Sequence, residues 1–89
     1  MIVRIDKSFE KDTDKIKDKN LLYNISELIE SIIKANNIKS IKNLKKLKGS
    51  HEFYRIRIDH YRIGLEIKSK TFILIRFLHR KDIYKYFPK

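Results

Sequence analysis

The stretch YRIRIDHYRIG, Tyr54 to Gly64, alternates apolar and basic residues with a period of two, a pattern that fits a pair of half-buried strands and little else. In an extended chain successive side chains point to opposite faces, so Tyr54, Ile56 and Ile58 share one side while Arg55 and Arg57 share the other. With Asp59-His60 as a two-residue hairpin turn, Ile58 faces Tyr61, Arg57 faces Arg62 and Arg55 faces Gly64. Two directly opposed arginines repel, which costs stability unless something anionic sits over them. Gly64 has no side chain and leaves open space across from Arg55, where a backbone or a ligand can approach.

The other elements follow from pattern and caps. Residues 1–5 read as a short strand with Val3 and Ile5 on one face. Ser8 is the expected N-cap of a first helix, with Glu10 and Asp12 in the opening turn and Phe9 and Ile16 on one side. Leu21, Leu22, Ile25, Leu28, Ile29, Ile32 and Ile33 repeat at helical spacing and predict a second helix ending near Asn36-Asn37. From Lys34 to Gly49 the chain carries six lysines and no acidic residue, and it reads as a basic connection, either merely solvated or in contact with phosphates. Strands are expected at 53–58, 61–67 and 71–78, the last a nearly unbroken apolar run suited to a central position.

The hairpin around Lys68-Ser69-Lys70 must keep Ile63, Leu65 and Ile67 on the face of Ile73 and Ile75, which favours an odd-numbered loop. That parity puts Arg76 beside Arg62 and sends Arg80 to the same side. Five arginines then converge on one face of the sheet while helices cover the other. The tail HRKDIYKYFPK predicts a short helical turn stopped by Pro88. The fold class is α+β: a small antiparallel sheet packed on two N-terminal helices, in the order β-α-α-β-β-β, forming a single domain over residues 1–89.

Composition narrows the function. With no cysteine there is no disulfide framework, thiolate metal site or cysteine nucleophile, which fits a reducing compartment. The opening MIVRIDKSFEKD meets acidic charge within six positions and has no long apolar run; no signal peptide or membrane span is readable, and a soluble cytoplasmic protein is expected. A net charge of +11 predicts attraction to polyanions or to an acidic protein partner. The 16 lysines and 16 isoleucines are a bias that genome composition alone can produce. Arginine is different: five of the six lie between residues 55 and 80, where lysine appears only at Lys68 and Lys70. Such a local reversal is expected where a planar fork must hold phosphate oxygens in fixed geometry.

No Gly-rich phosphate loop, paired acidic motif, HxxxH or HExxH is present, so neither a metal nor a cofactor is expected, nor is a small-molecule ligand. His51 and His60 fall in predicted turns and read as surface histidines. His79 lies between the last strand and Arg80, close before Tyr84 and Tyr86. Arginine stays protonated and cannot act as a base, but it can bind a scissile phosphate and stabilise charge growing on its oxygens. RNA supplies its own nucleophile in the 2′-OH, which leaves proton transfer to His79, Tyr84 or Tyr86.

Taken together, KLKG at 46–49, YRIRIDHYRIGLEI and RFLHRKDIYKYF resemble the RelE/ParE superfamily of type II toxin-antitoxin toxins over most of the chain. The resemblance implies two helices on a small antiparallel sheet with the working face on the exposed side. In the RelE branch it implies mRNA cleavage, commonly in the ribosomal decoding site, by 2′-OH attack that leaves a cyclic phosphate, and a cognate acidic antitoxin that wraps the basic surface. Carried over by position, Arg55, Arg57, Arg62, Arg80, His79 and Tyr84 are the catalytic candidates. Lys45, Lys46, Lys48, Arg76, Lys81 and Tyr86 are the RNA-contacting ones. This chain has arginines where the RelE branch has a lysine pair, which shifts proton transfer toward His79 and Tyr84. The ParE branch, which inhibits DNA gyrase and cleaves no RNA, shares the Tyr-Arg and His-Arg elements and is the alternative. A nonenzymatic nucleic-acid-binding domain accounts for the charge but leaves HRKDIY unexplained.

Overall fold

The computed structural model describes residues 1–88. Strand β1 (Ile2–Ile5) leads into helices α1 (Lys7–Asp14) and α2 (Lys19–Lys34). A 3-10 turn (Ile38–Ser40) precedes strands β2 (Leu44–Lys46), β3 (Phe53–Ile58), β4 (Tyr61–Lys68) and β5 (Thr71–His79), and a short helix α3 (Ile83–Tyr86) ends the chain. The five strands form one sheet in the order β1-β5-β4-β3-β2. All neighbours are antiparallel except β1, which runs parallel to β5, so the sheet is mixed where a purely antiparallel one was expected. No helix is long and apolar enough to cross a membrane among the described residues.

Helix α2 presents Leu21, Ile25 and Ile32 to the core, with Leu28 and Ile29 partly buried beside them. Leu22 and Ile33, at the margins of the stripe, are 38% and 49% exposed. Asp18 caps the helix by accepting from the backbone N–H of Asn20 (2.9 Å) and Leu21 (3.2 Å), and the helix stops at Lys34, slightly before the asparagine pair. Asp6, not Ser8, caps α1: its carboxylate accepts from the Ser8 N–H at 3.2 Å. A carboxylate suits the positive end of the helix dipole better than a hydroxyl does, and the two bonds from Ser8 hold the Asp6 acid below the usual aspartate range. The Ser8 hydroxyl lies between Asp6 and the Ile75 carbonyl and ties the helix start to β5. Val3, which alternation puts on one face with Ile5, packs partly buried against the core, while Ile5, on the edge strand, remains 42% exposed.

The β3–β4 hairpin has the expected register, including Arg57 opposite Arg62 and Arg55 opposite Gly64. Asp59 takes the positive φ of 58° that such a turn demands. The next hairpin departs from expectation. Lys68 pairs with Thr71, so the turn is the two residues Ser69-Lys70, and Phe72 and Leu74, rather than Ile73 and Ile75, face the core with Ile67 and Leu65. The odd residue is inside the strand: Leu65 pairs with Leu74 but Gly64 with Arg76, leaving Ile75 as a bulge. Past the bulge Phe77 returns to the core opposite Ile63, and Arg76 falls on the outer face, across from Gly64 and diagonal to Arg62. The basic connection also holds more structure than expected, since Leu44–Lys46 adds an edge strand along β3.

β1 covers only the first half of β5, pairing through Leu74. Beyond it the edge of β5 is satisfied by α1 side chains: Ser8 meets the Ile75 carbonyl, and the Asp12 carboxylate accepts from the Phe77 N–H at 2.9 Å. Asp12 is 6% exposed and also accepts from Arg76 Nε (2.8 Å) and Nη2 (3.1 Å), a two-pronged pair that raises the Arg76 pKa. Asp12→Ala orphans the buried Phe77 N–H and leaves Arg76 unpaired. It is expected to lower unfolding free energy by about 3 kcal/mol, read as a drop in the urea midpoint without a change in slope.

Candidate functional site

Strand alternation builds the outer face of the sheet. β3 contributes Phe53, Arg55 and Arg57; β4 contributes Arg62 and Gly64; and β2 contributes Lys45, directly opposite Arg55. The residues between them, Ile56, Ile63 and Leu65, are at most 1% exposed on the reverse side, which anchors the face to the core. The C-terminal segment folds back across this face. The Phe87 ring lies over Gly64, where a Cβ would stand 2.6 Å from two ring carbons, and it meets Phe53 edge-on with centroids 5.6 Å apart. The space expected to be open at Gly64 is therefore filled by the chain itself, with a ring contributed 23 positions later.

Two grooves flank the arginines. One, of about 1120 Å³, is lined by Lys45, Lys46, Lys48, His51, Phe53, Arg55, Tyr84 and Phe87. The other, of about 680 Å³, is lined by Asn24 and Glu27 of α2, Lys42, Asn43, Arg57, His60, Arg62 and Arg80. Arg62 stands between them. Its pKa is lowered first by burial and then by the charges of Arg55, Arg57 and Arg80, while Tyr84 acts in the opposite sense. Arg62 remains a cation. Its Nη1 donates to the carbonyls of Tyr61 (2.9 Å) and Asp59 (3.3 Å), which turns the guanidinium back over the hairpin. Among the described residues, none of Arg55, Arg57, Arg62 and Arg80 pairs with a carboxylate.

The structure thus brings together four of the five expected arginines and Tyr84, which is 61% exposed. Arg76 is diverted to Asp12, and its guanidinium carbon lies 5.6 Å from the centre of the Tyr86 ring. Lys45 lies on the arginine face, Lys46 pairs with Tyr54 and points to the reverse face at the sheet edge, and Lys48 is in the loop that rims the larger groove. His79 pairs with Tyr61 and so shares the reverse face with Phe77. Its ring meets Tyr61 edge-on and stacks on His60, and its Nδ1 accepts from the Lys81 N–H at 3.2 Å. His51 lines the larger groove with Arg55 and Tyr84, and the smaller one holds His60, in the turn between Arg57 and Arg62. Its place beside two opposed arginines was the available sequence signal. Asn43, Asn24 and Glu27 carried no such signal, because the turn before β2 and helix α2 reach this groove only through tertiary packing.

A phosphate diester fits this surface. Charge-assisted bonds from several guanidinium groups would neutralise its oxygens, and the unpaired arginines would lose their mutual repulsion on binding. The free protein bears that repulsion. Arg57→Gln, which removes one of the opposed pair and leaves the core untouched, is expected to stabilise the free protein by about 0.5 kcal/mol at low ionic strength. Thermal melts should show a gain of roughly 2–4 °C that shrinks as salt rises above about 0.1 M.

Comparison with known proteins agrees with this fold. Residues 3–84 match the family model described as the ParE toxin of type II toxin-antitoxin system, parDE. Toxin RelE3 of Methanocaldococcus jannaschii is 42% identical over 89 residues, covering 99% of this chain and all of that protein. Among solved structures, a chain of the RelB-RelE antitoxin-toxin complex from Methanococcus jannaschii superposes with a TM-score of 0.81 at 39% identity, over 96% of this chain and 99% of that one. The YoeB dimer from Staphylococcus aureus, at 18% identity and a TM-score of 0.71 over 90% and 97% of the two chains, shares the fold. With this match along nearly its whole length, the chain belongs to the RelE/ParE superfamily of type II toxin-antitoxin toxins.

Proposed function

We propose that this toxin is an endoribonuclease that cleaves mRNA on the ribosome, by attack of a 2′-OH on the adjacent phosphate. The observation that carries the reading is the set of unpaired arginines, Arg55, Arg57, Arg62 and Arg80, with Tyr84 in the groove on one side and His60 in the groove on the other. In-line displacement needs a proton acceptor at the attacking oxygen and a proton donor at the leaving oxygen, on opposite sides of phosphorus. The His60 imidazole suits the first task and the Tyr84 hydroxyl the second. The arginines hold the scissile phosphate and stabilise the added negative charge of the phosphorane. His79 lies beside His60, with ring centroids 6.4 Å apart. Lys45, Lys46, Lys48 and Lys81 extend the contacts to flanking RNA, while Tyr86, expected among those contacts, faces the Arg76 guanidinium. The chemistry draws on these side chains and the substrate's own hydroxyl, and it calls for no metal.

The cognate antitoxin is proposed to be an acidic, partly disordered chain that covers the same arginines in the cytoplasm; an antitoxin partner is supported by the similar Methanococcus jannaschii chain, solved in an antitoxin-toxin complex. A second reading has one specific observation in its favour: the matching family model carries the ParE name. In that reading the arginines serve recognition alone and DNA gyrase is the target.

Mapping new 5′ ends on mRNA in cell-free translation, beside a gyrase supercoiling assay, separates the two. New ends with normal supercoiling are expected; intact mRNA with blocked supercoiling sinks the nuclease reading. Arg62→Ala and Arg80→Ala should each slow cleavage roughly a hundredfold or more and release growth arrest in cells. Undiminished arrest would remove these arginines from the site.

A further inference from the structure

We propose that Asp12, in α1 on the helical side of the sheet, is a positioning residue for Tyr84: it holds the Arg76 guanidinium against the Tyr86 ring and thereby sets the roll of the C-terminal helix. The inference rests on the reading of Tyr84 as a proton carrier.

Helix α3 has four residues, too few to hold a conformation alone, so its orientation is set by what its side chains touch. Ile83 and Phe87 are 0% and 3% exposed and hold it to the sheet. At about 100° per residue these two lie near one another on a single stripe, and a contact along one stripe leaves the helix free to roll about it. Tyr84 and Tyr86 fall on the two flanks of that stripe. A contact made by Tyr86 therefore fixes the angle at which Tyr84 meets the arginines.

That contact is Arg76, 5.6 Å from the Tyr86 ring centre. An arginine left to itself samples many rotamers and would hold nothing in place. Here Asp12 grips the fork at Nε (2.8 Å) and Nη2 (3.1 Å) and is itself fixed by the Phe77 N–H (2.9 Å). The chain of contacts runs from α1 through the edge of β5 to α3, and each member touches the next. Asp12 is 6% exposed, lies among helix and strand atoms, and contributes no surface to either groove.

The test is a set of double-mutant cycles on mRNA cleavage in cell-free translation with the full chain, using Asp12→Asn, Tyr86→Leu and Tyr84→Phe. Tyr86 is half exposed, so Tyr86→Leu examines the relay even where Asp12→Asn weakens the fold. Each of these two is expected to slow cleavage at saturating ribosomes by roughly threefold to tenfold and to leave half-saturation unchanged. Each should have little further effect once Tyr84 is phenylalanine. Tyr86→Phe, which keeps an aromatic face against the guanidinium, should recover most of the rate lost in Tyr86→Leu. Losses that persist in full in the Tyr84→Phe background, or that appear as weaker half-saturation, overturn the positioning role and make Tyr86 a direct RNA contact. Apart from activity, the NMR ring and amide shifts of Tyr84 should move in both Asp12→Asn and Tyr86→Leu. Unmoved shifts sink the proposal and leave the nuclease reading standing, whereas moved shifts with a fully active Tyr84→Phe protein sink the role of Tyr84 in catalysis.

Discussion

Ile75 is one residue more than the β4–β5 ladder can pair, and the arrangement of both faces depends on that surplus. A two-residue turn places Phe72 and Leu74 over the core; without the bulge, continued alternation would drive Arg76 into it and turn Phe77 out to solvent. With the bulge, Phe77 is 2% exposed and Arg76 reaches the outer face near the edge. The same irregularity presents the Ile75 carbonyl and the Phe77 N–H to α1, where Ser8 and Asp12 meet them. A strand edge that β1 is too short to cover is closed by two side chains of one helix.

The outer face is arranged against its own stability. Lys45 stands opposite Arg55 and Arg57 opposite Arg62, like charges directly across neighbouring strands. A scaffold that tolerates this needs a rigid core beneath, and the fully buried Ile63, Leu65, Phe72 and Leu74 supply it. The repulsion is relieved when a polyanion or an acidic chain occupies the face. On this account RNA and antitoxin compete for one electrostatic vacancy, and binding of either would stabilise the fold by mass action. The C-terminal helix brings the Tyr84 phenol alongside these cations.

The parts of this fold legible in the sequence are those carried by local pattern. The Asp59-His60 turn, the pairing of Arg57 with Arg62 and the buried stripe of α2 follow from periods of two and 3.6 in neighbouring residues. An odd-numbered loop was expected between β4 and β5 to bring Ile73 and Ile75 to the core, but the turn has two residues and the odd one is Ile75 inside β5, a bulge within what was read as uninterrupted strand, so Phe72 and Leu74 take the core positions. What stayed hidden depends on distant partners. Arg76 is claimed by an aspartate 64 positions earlier, and Gly64 is covered by a ring from the far end of the chain. β2 is three residues of mostly lysine with no strand propensity of its own, formed because β3 offers a free edge. In the candidate site the arginines and Tyr84 were legible. Alternation from Phe77 carries His79 to the reverse face, and His60 lines the groove with Arg57, Arg62 and Arg80.

The central claim is that these arginines hold a scissile phosphate for attack by the neighbouring 2′-OH. The direct measurement replaces the single nucleotide 5′ of the mapped cut with its 2′-deoxy form and follows cleavage at that position on the ribosome. The account predicts that cleavage there is lost and that the unmodified message ends in a 2′,3′-cyclic phosphate. Cleavage that continues at the deoxy-substituted position, or product ends bearing a 3′-hydroxyl, would contradict it.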